Sequence, residues 1–218
     1  NMRPIMQGQS KERALAHLRA RIANIEKRPP LLGAGAADAA RPGFALPQGM
    51  MHEICTDSSR NAGAVLGLAL GAIRNQPSAT RPALLYLQLR DEAAETGFPY
   101  GTGLGLFGIT AEALILVRPA SIVELLWAAE EGLSCRAVAA VIADIGTTSR
   151  AFDFTASRRL SLRADASGAT LLFLRYGAWR EASAAQLRWH LQPALSAEME
   201  FDARAPGQTR WRARLEKG

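Results

Sequence analysis

The chain has 218 residues, 48% hydrophobic and 21% charged, with a formal net charge of +6 and a sequence pI of about 10.0. These proportions suit one folded domain with a sizeable core and exclude a chain that is disordered as a whole. No apolar run reaches the roughly 18 residues that a membrane-spanning helix needs. Cys55 and Cys135 lie in separate apolar segments, which fits neither a disulfide framework nor a zinc site and points to a reducing, cytosolic compartment.

In chain order, Asn1–Met6 carries no apolar leader pattern, and Asn1 ahead of Met2 reads as an added residue. Residues 10–28 read as a helix. Leu15, Leu18, Ile22 and Ile25 recur at helical spacing and form one narrow apolar stripe, flanked by Lys11, Glu12, Arg19, Arg21, Glu26 and Lys27. Pro29 and Pro30 end it. Residues 29–47, rich in Gly, Ala and Pro, read as a linker, which makes the first helix a separate docking element whose stripe must be buried on something.

Residues 48–218 form the core. Met51–Cys55, Ala83–Leu89, Leu114–Val117, Ala137–Ile145 and Thr170–Arg175 read as strands. Helices are expected over Asn61–Arg74, Ser121–Gly132 and Phe154–Ala166, with Ser121 capping the second, Glu124 completing a capping box, and Gly168 closing the third. Strands apolar on both faces and joined by single helices predict an α/β fold, a mainly parallel sheet with helices on both sides. Gln186–Leu191 and Thr209–Glu216 instead alternate apolar with polar residues, so they predict half-buried strands extending the sheet at one edge.

In such a fold the first turn from strand to helix is where a phosphate loop belongs, and that loop needs glycines, a lysine and a hydroxyl. Here Thr56 and Asn61 stand at the glycine positions, Ala62 at the lysine and Gly63 at the hydroxyl, while Asp57 adds negative charge facing the would-be phosphates. Arg60 is a cation, but at a different backbone position. Asp144 ends a strand where a P-loop protein carries its magnesium-holding acid; with no lysine or hydroxyl beside it, it reads as a carboxylate solvated at the sheet rim. Asp91, Glu92 and Glu95 read as an exposed acidic turn, and the glycines of Gly101–Gly108 as a packed loop or short helix. His17, His52 and His190 are scattered without ligand spacing. No catalytic residue, metal or cofactor is expected.

The basic excess is almost all arginine, with lysine only at Lys11, Lys27 and Lys217. Arginine-rich codon usage and an anionic partner both account for that. Arg210, Arg212 and Arg214 lie on one face of a predicted strand, and Arg158, Arg159 and Arg163 cluster on a helix, so nucleic acid contact there would be weak, salt-sensitive and blind to sequence. Charge protecting an edge strand explains the strand equally well.

Several stretches resemble RecA-like proteins: Ile25-Glu26-Lys27, Leu46-Pro47-Gln48-Gly49 with His52-Glu53-Ile54, Leu106-Phe107-Gly108-Ile109 with Ala113-Leu114-Ile115-Leu116, and Ala140-Val141-Ile142-Ala143-Asp144. Within that group Gly97-Phe98-Pro99-Tyr100, Leu125–Glu131, Phe154–Leu160 and Gly207–Arg212 resemble the ImuA, or damage-inducible mutagenesis, family, over roughly residues 12 to 216. The resemblance implies a RecA-like fold and a non-catalytic scaffold in SOS-induced translesion synthesis. Its implied partners are an ImuB-like polymerase-fold protein and an error-prone DNA polymerase, with RecA contact and self-association as further expectations. The segment Tyr176–Ala185 is shorter than the DNA-contacting loop of RecA, which argues against RecA-style filaments. An active RecA-like ATPase and a SulA-like cell-division inhibitor are the alternative readings.

Overall fold

The computed structural model describes residues 45–146, 151–177, 181–199, 204–205 and 207–218. The predicted first helix, with Leu15, Leu18, Ile22 and Ile25, lies outside the described residues, as does most of the predicted linker.

Seven strands form one sheet. In chain order the elements are β1 (Met51–Thr56), α1 (Ala62–Ile73), β2 (Ala83–Gln88), α2 (Arg90–Thr96), α3 (Gly101–Leu104), β3 (Leu114–Val117), α4 (Ile122–Ser134), β4 (Val138–Ile145), α5 (Phe154–Ser167), β5 (Thr170–Tyr176), β6 (Leu187–Ala194) and β7 (Arg210–Lys217). The spatial order is β3-β2-β4-β5-β1-β6-β7. All neighbours are parallel except β6 and β7, which run antiparallel. The mainly parallel α/β sheet expected from the doubly apolar segments is therefore present. β4 shows why: all its residues are buried, and a strand covered on both faces must be apolar on both.

Alternate side chains feed two cores. Ile54, Leu84, Ile142, Leu172 and Leu174 meet α1 and α3 on one face. Met51, Leu87, Val141, Leu171 and Phe173 meet α4 and α5 on the other. The helix ends follow the local chemistry. Ser121 Oγ accepts the Glu124 N–H at 3.2 Å, while the Glu124 carboxylate accepts the N–H of Ala120, one residue earlier than a standard capping box would place it. Asp153 caps α5 by accepting the Ala156 N–H at 2.7 Å. Gly168 closes α5 at φ 73°, and Gly49, at φ 68°, lies against it: a Cβ on Gly49 would meet Gly168 Cα at 3.3 Å.

The two alternating segments at the end are strands, and they differ in direction. β6 joins β1 in parallel, and β7 returns antiparallel to β6. On one face Leu187, Trp189 and Leu191 of β6 continue the core, with Ala213 and Leu215 of β7 packed against them. On the other face the junction is polar. Arg188 donates through Nε to the fully buried Glu53 of β1, and its Nη2 donates to Glu181 O at 2.9 Å and Ser183 Oγ at 3.1 Å. Removing one member of such a pair strands a buried charge, which costs about 3–5 kcal/mol, whereas removing both is far milder. Arg188→Met is accordingly expected to lower unfolding free energy by about that amount, and Glu53→Gln/Arg188→Met to recover most of it, as read by urea titration of both variants and the single Glu53→Gln.

Candidate functional site

Thr56 ends β1 at the carboxyl edge of the sheet, where a nucleotide would be expected. The turn that follows is closed on itself. Asn61 Nδ2 donates to Thr56 Oγ1 at 2.8 Å, the Asn61 N–H bonds to Ser58 O at 3.1 Å, and Ser59–Asn61 forms a 3₁₀ turn capped by Ser58. The two residues at the glycine positions thus bond to each other across the space a phosphate would need. Asp57 is turned sideways, toward β6, rather than toward that space. Its Oδ1 accepts from His190 Nε2 at 3.0 Å and its Oδ2 from Gln192 Nε2 at 3.4 Å. Arg60 is exposed, Ala62 opens α1, and a Cβ at Gly63 would meet open space, so nothing is packed closely against that glycine.

Asp144 departs from expectation. It is not a solvated rim carboxylate but is only 6% exposed. It shares a sheet face with Tyr86 of β2 and Tyr176 of β5, whose rings flank it from the adjoining strands. The Tyr86 hydroxyl donates to Asp144 Oδ2. Tyr176 comes near the same carboxylate, close enough to interact with it electrostatically, but its hydroxyl lies outside well-formed hydrogen-bond geometry. Glu92 also departs from the exposed acidic turn expected of it. It sits on α2, and its Oε2 accepts the Gly146 N–H at 3.1 Å just past the end of β4. Asp91 and Glu95 are exposed.

The protonation energetics follow from that burial. Desolvation raises the Asp144 carboxyl from 3.8 to about 6; the tyrosine hydroxyls oppose the rise and the nearby Glu92 charge adds to it. Burial, then the Asp144 charge, pushes both tyrosines well above the usual phenol range, so they stay protonated. His52, buried on β1 with Nε2 2.9 Å from Pro47 O, is lowered by desolvation from 6.5 to about 4.

The remaining candidates divide. Gly101–Gly108 forms α3 and a 3₁₀ turn, and the Phe107 ring packs over α1, where a Cβ added at Gly67 or Gly71 would meet it at 3.7 or 3.9 Å. Arg159 and Arg163 converge on one carboxylate, Glu130 of α4, at 3.0 and 3.2 Å, while Arg158 beside them is exposed. Arg210, Arg212 and Arg214 lie exposed on β7, and Arg214 meets Glu216 at 3.2 Å. Among the described residues no group of His, Cys, Asp and Glu could hold a metal ion, and no helix is long and apolar enough to cross a membrane. The roles of Tyr86, Tyr176, Glu53 and Arg188 are not legible in the sequence, because Tyr86, Glu53 and Arg188 read there as ordinary strand residues and Tyr176 as the first residue of a loop.

Asp144 and His52 have opposite pH signatures. A raised carboxyl stabilises the fold at low pH, and that contribution is lost as pH rises from 3.8 through about 6. A lowered imidazole stabilises above 6.5, and that contribution is lost as pH falls through about 4. Between about 4 and 6 the two slopes cancel in large part. Asp144→Asn should remove the first, leaving the variant more stable than the parent at pH 7 by up to about 3 kcal/mol, with the advantage vanishing near pH 4. Urea unfolding of both proteins across that range checks the difference; an advantage independent of pH would contradict it.

No protein-family model matches the chain. It is 30% identical over 202 residues to Protein ImuA of Caulobacter vibrioides (strain NA1000 / CB15N), an alignment covering 86% of this chain and 78% of that protein. Protein ImuA of Caulobacter vibrioides strain ATCC 19089 / CIP 103742 / CB 15 matches with the same figures. Among solved structures, SulA from Pseudomonas aeruginosa superposes with a TM-score of 0.42 at 19% identity, covering 58% of this chain and 98% of that one. The extent and identity of the match to the two Caulobacter proteins place the chain in the ImuA family.

Proposed function

We propose that the chain is a non-catalytic, RecA-like scaffold in damage-induced mutagenesis, holding an ImuB-like polymerase-fold protein and an error-prone DNA polymerase in one assembly. Membership of the ImuA family supports the process. The observation that supports a scaffold over an ATPase is the internal satisfaction of the carboxyl edge. Asp144 is occupied by Tyr86, and Thr56 by Asn61, where a nucleotide enzyme leaves these positions for magnesium and phosphate. The N-terminal segment 10–28, with its stripe of Leu15, Leu18, Ile22 and Ile25, is the docking element in this proposal, joined through the linker 29–47 to the core 48–218.

Calorimetric titration with Mg-ATP tests the loss of catalysis. Charge-assisted hydrogen bonds contribute roughly 1.5–3 kcal/mol each, so losing two weakens binding by about 10²–10⁴-fold. No binding in the low micromolar range is expected, and Ala62→Lys alone should not confer hydrolysis. A low micromolar dissociation constant, or turnover abolished by Asp144→Ala, would overturn the reading.

Affinity capture from DNA-damaged cells tests the partners. The polymerase-fold protein and the polymerase are expected with the full chain. Deleting residues 2–28 should reduce their recovery while leaving the thermal unfolding of the core in place. Recovery of a division protein instead would favour a SulA-like role.

A further inference from the structure

We infer that the part of the sheet beyond β1 that no described helix covers, the polar face of β6 and β7, is a binding surface for single-stranded nucleic acid. The side on which this face lies follows from register. Trp189 pairs with Leu215 and Leu191 with Ala213, and these four turn to the core shared with α1. The intervening pairs, His190 with Arg214, Gln192 with Arg212 and Ala194 with Arg210, therefore turn to the opposite face, the side of α4 and α5. The principal packing of α4 and α5 is on β2, β4, β5 and β1. Beyond β1 the sheet continues as a shelf with its arginines exposed.

Three features of the shelf select its occupant. The arginines recur at every second residue of one strand, a pitch of about 6.8 Å. A nucleic acid strand drawn out to near full length presents its phosphates on a comparable pitch, so one row can meet successive phosphates. Guanidinium groups also suit phosphate through paired N–H donors. Second, the positive charge is only partly neutralised: Arg214 is paired with Glu216, and Asp57 is taken up by His190 and Gln192, whereas Arg210 and Arg212 meet no carboxylate among the described residues. Third, the face from His190 to Ala194 and Arg210 to Arg214 carries no large apolar side chain, so what it offers a ligand is charge and hydrogen-bond donors, which suits a phosphate backbone. Arg158 belongs to the same side. Its neighbours Ser157 and Ser161 bond to Ala184 N and Gln186 Nε2 in the segment leading into β6, which sets Arg158 on the flank of α5 nearest the shelf. Arg159 and Arg163 do not belong to the surface, because both are engaged with Glu130.

The inference does not depend on the scaffold reading, and its test uses the isolated full chain without partners. Fluorescence anisotropy with a labelled oligothymidylate should show binding that weakens with salt. Three phosphate contacts on a single strand give a log–log slope of about −2, so raising salt from about 50 to about 200 mM should weaken affinity about 15-fold. Arg210→Gln/Arg212→Gln/Arg214→Gln should lower affinity at the lower salt about a hundredfold and flatten the slope, with thermal unfolding unchanged. Ala194→Glu, which removes no strand residue but sets a carboxylate opposite Arg210, should weaken binding several-fold even if the triple variant misfolds. Arg74→Gln, an exposed change beyond the end of α1, should have no effect. Full binding by the folded triple variant or by Ala194→Glu overturns the assignment. So does failure of the oligothymidylate to bind at about 50 mM salt while polyglutamate binds, which would give the shelf to an acidic protein.

Discussion

A carboxylate at the end of a fully buried central strand must find its hydrogen-bond donors inside the protein, and the arrangement around Asp144 follows from that requirement. Moving a charge out of water without partners is costly. In a nucleotide enzyme a metal ion at this position compensates it. Here the compensation comes from the strands on either side, with Tyr86 donating directly and Tyr176 contributing its dipole nearby. The arrangement is self-consistent, because burial and the adjacent negative charge keep both phenols protonated and therefore able to donate. It also orders the surrounding chain. Glu92 finds its own donor in the Gly146 N–H, so α2 is tied to the end of β4 by a group whose charge adds to the rise that burial imposes on Asp144.

The same logic operates at β1 on the opposite face of the sheet. Glu53 is as deeply buried as the apolar residues beside it, and its partner Arg188 comes from β6. One residue beyond the end of β1, Asp57 is held by His190 and Gln192, again from β6. The sheet extension is therefore attached by unlike forces on its two faces: apolar contact through Trp189 and Leu191 on one, and on the other the Arg188–Glu53 ion pair and the hydrogen bonds that hold Asp57. A register slip of one residue would bring Arg188 to the apolar face and Trp189 opposite Glu53, so both faces oppose it together. Asp57 is in this way a strand-anchoring residue, which explains why its charge is not directed toward the space beyond the first turn.

Much of the fold was legible because its signals are local. β4 is apolar at nearly every position and β7 alternates, and those two patterns distinguish a doubly covered strand from an edge strand without any tertiary information. The helix ends at Ser121, Asp153 and Gly168 were legible or could have been, since capping involves residues only a few positions apart. The site was legible only by subtraction. The sequence shows which parts of a phosphate loop are missing, but what replaces them depends on partners far along the chain. Tyr86 and Asp144 are 58 residues apart, and His190 and Asp57 are 133 apart. Asp144 reads from the sequence as solvated, whereas it is buried, because burial at a strand end is set by neighbouring strands rather than by the strand's own pattern. The one available signal was two tyrosines, each near the end of a strand predicted to be central, where a hydroxyl needs a polar partner.

The structure also bears on the arginine excess, which composition alone leaves ambiguous. Several arginines are committed to the fold: Arg81 to the carbonyls of Val138 and Ser167, Arg175 to Glu181 and the Phe152 ring, Arg188 to Glu53, and Arg159 and Arg163 to Glu130. These are structural uses, and arginine serves them well because its planar fork keeps its charge while making several hydrogen bonds. Among the described residues Arg210 and Arg212 meet no carboxylate, and they are regularly placed. A mutational bias toward arginine codons acts on every strand alike. It does not set three arginines at alternate positions of one edge strand while leaving the other edge strand, β3, as Leu-Ile-Leu-Val with no charge at all. β3, at four residues, is blunted as an edge by its shortness, whereas the eight-residue β7 needs charge, although protection alone requires only some charge and not a row on one face. Edge protection accounts for charge on β7, and the regular row on one face is what the proposed nucleic acid contact requires in addition.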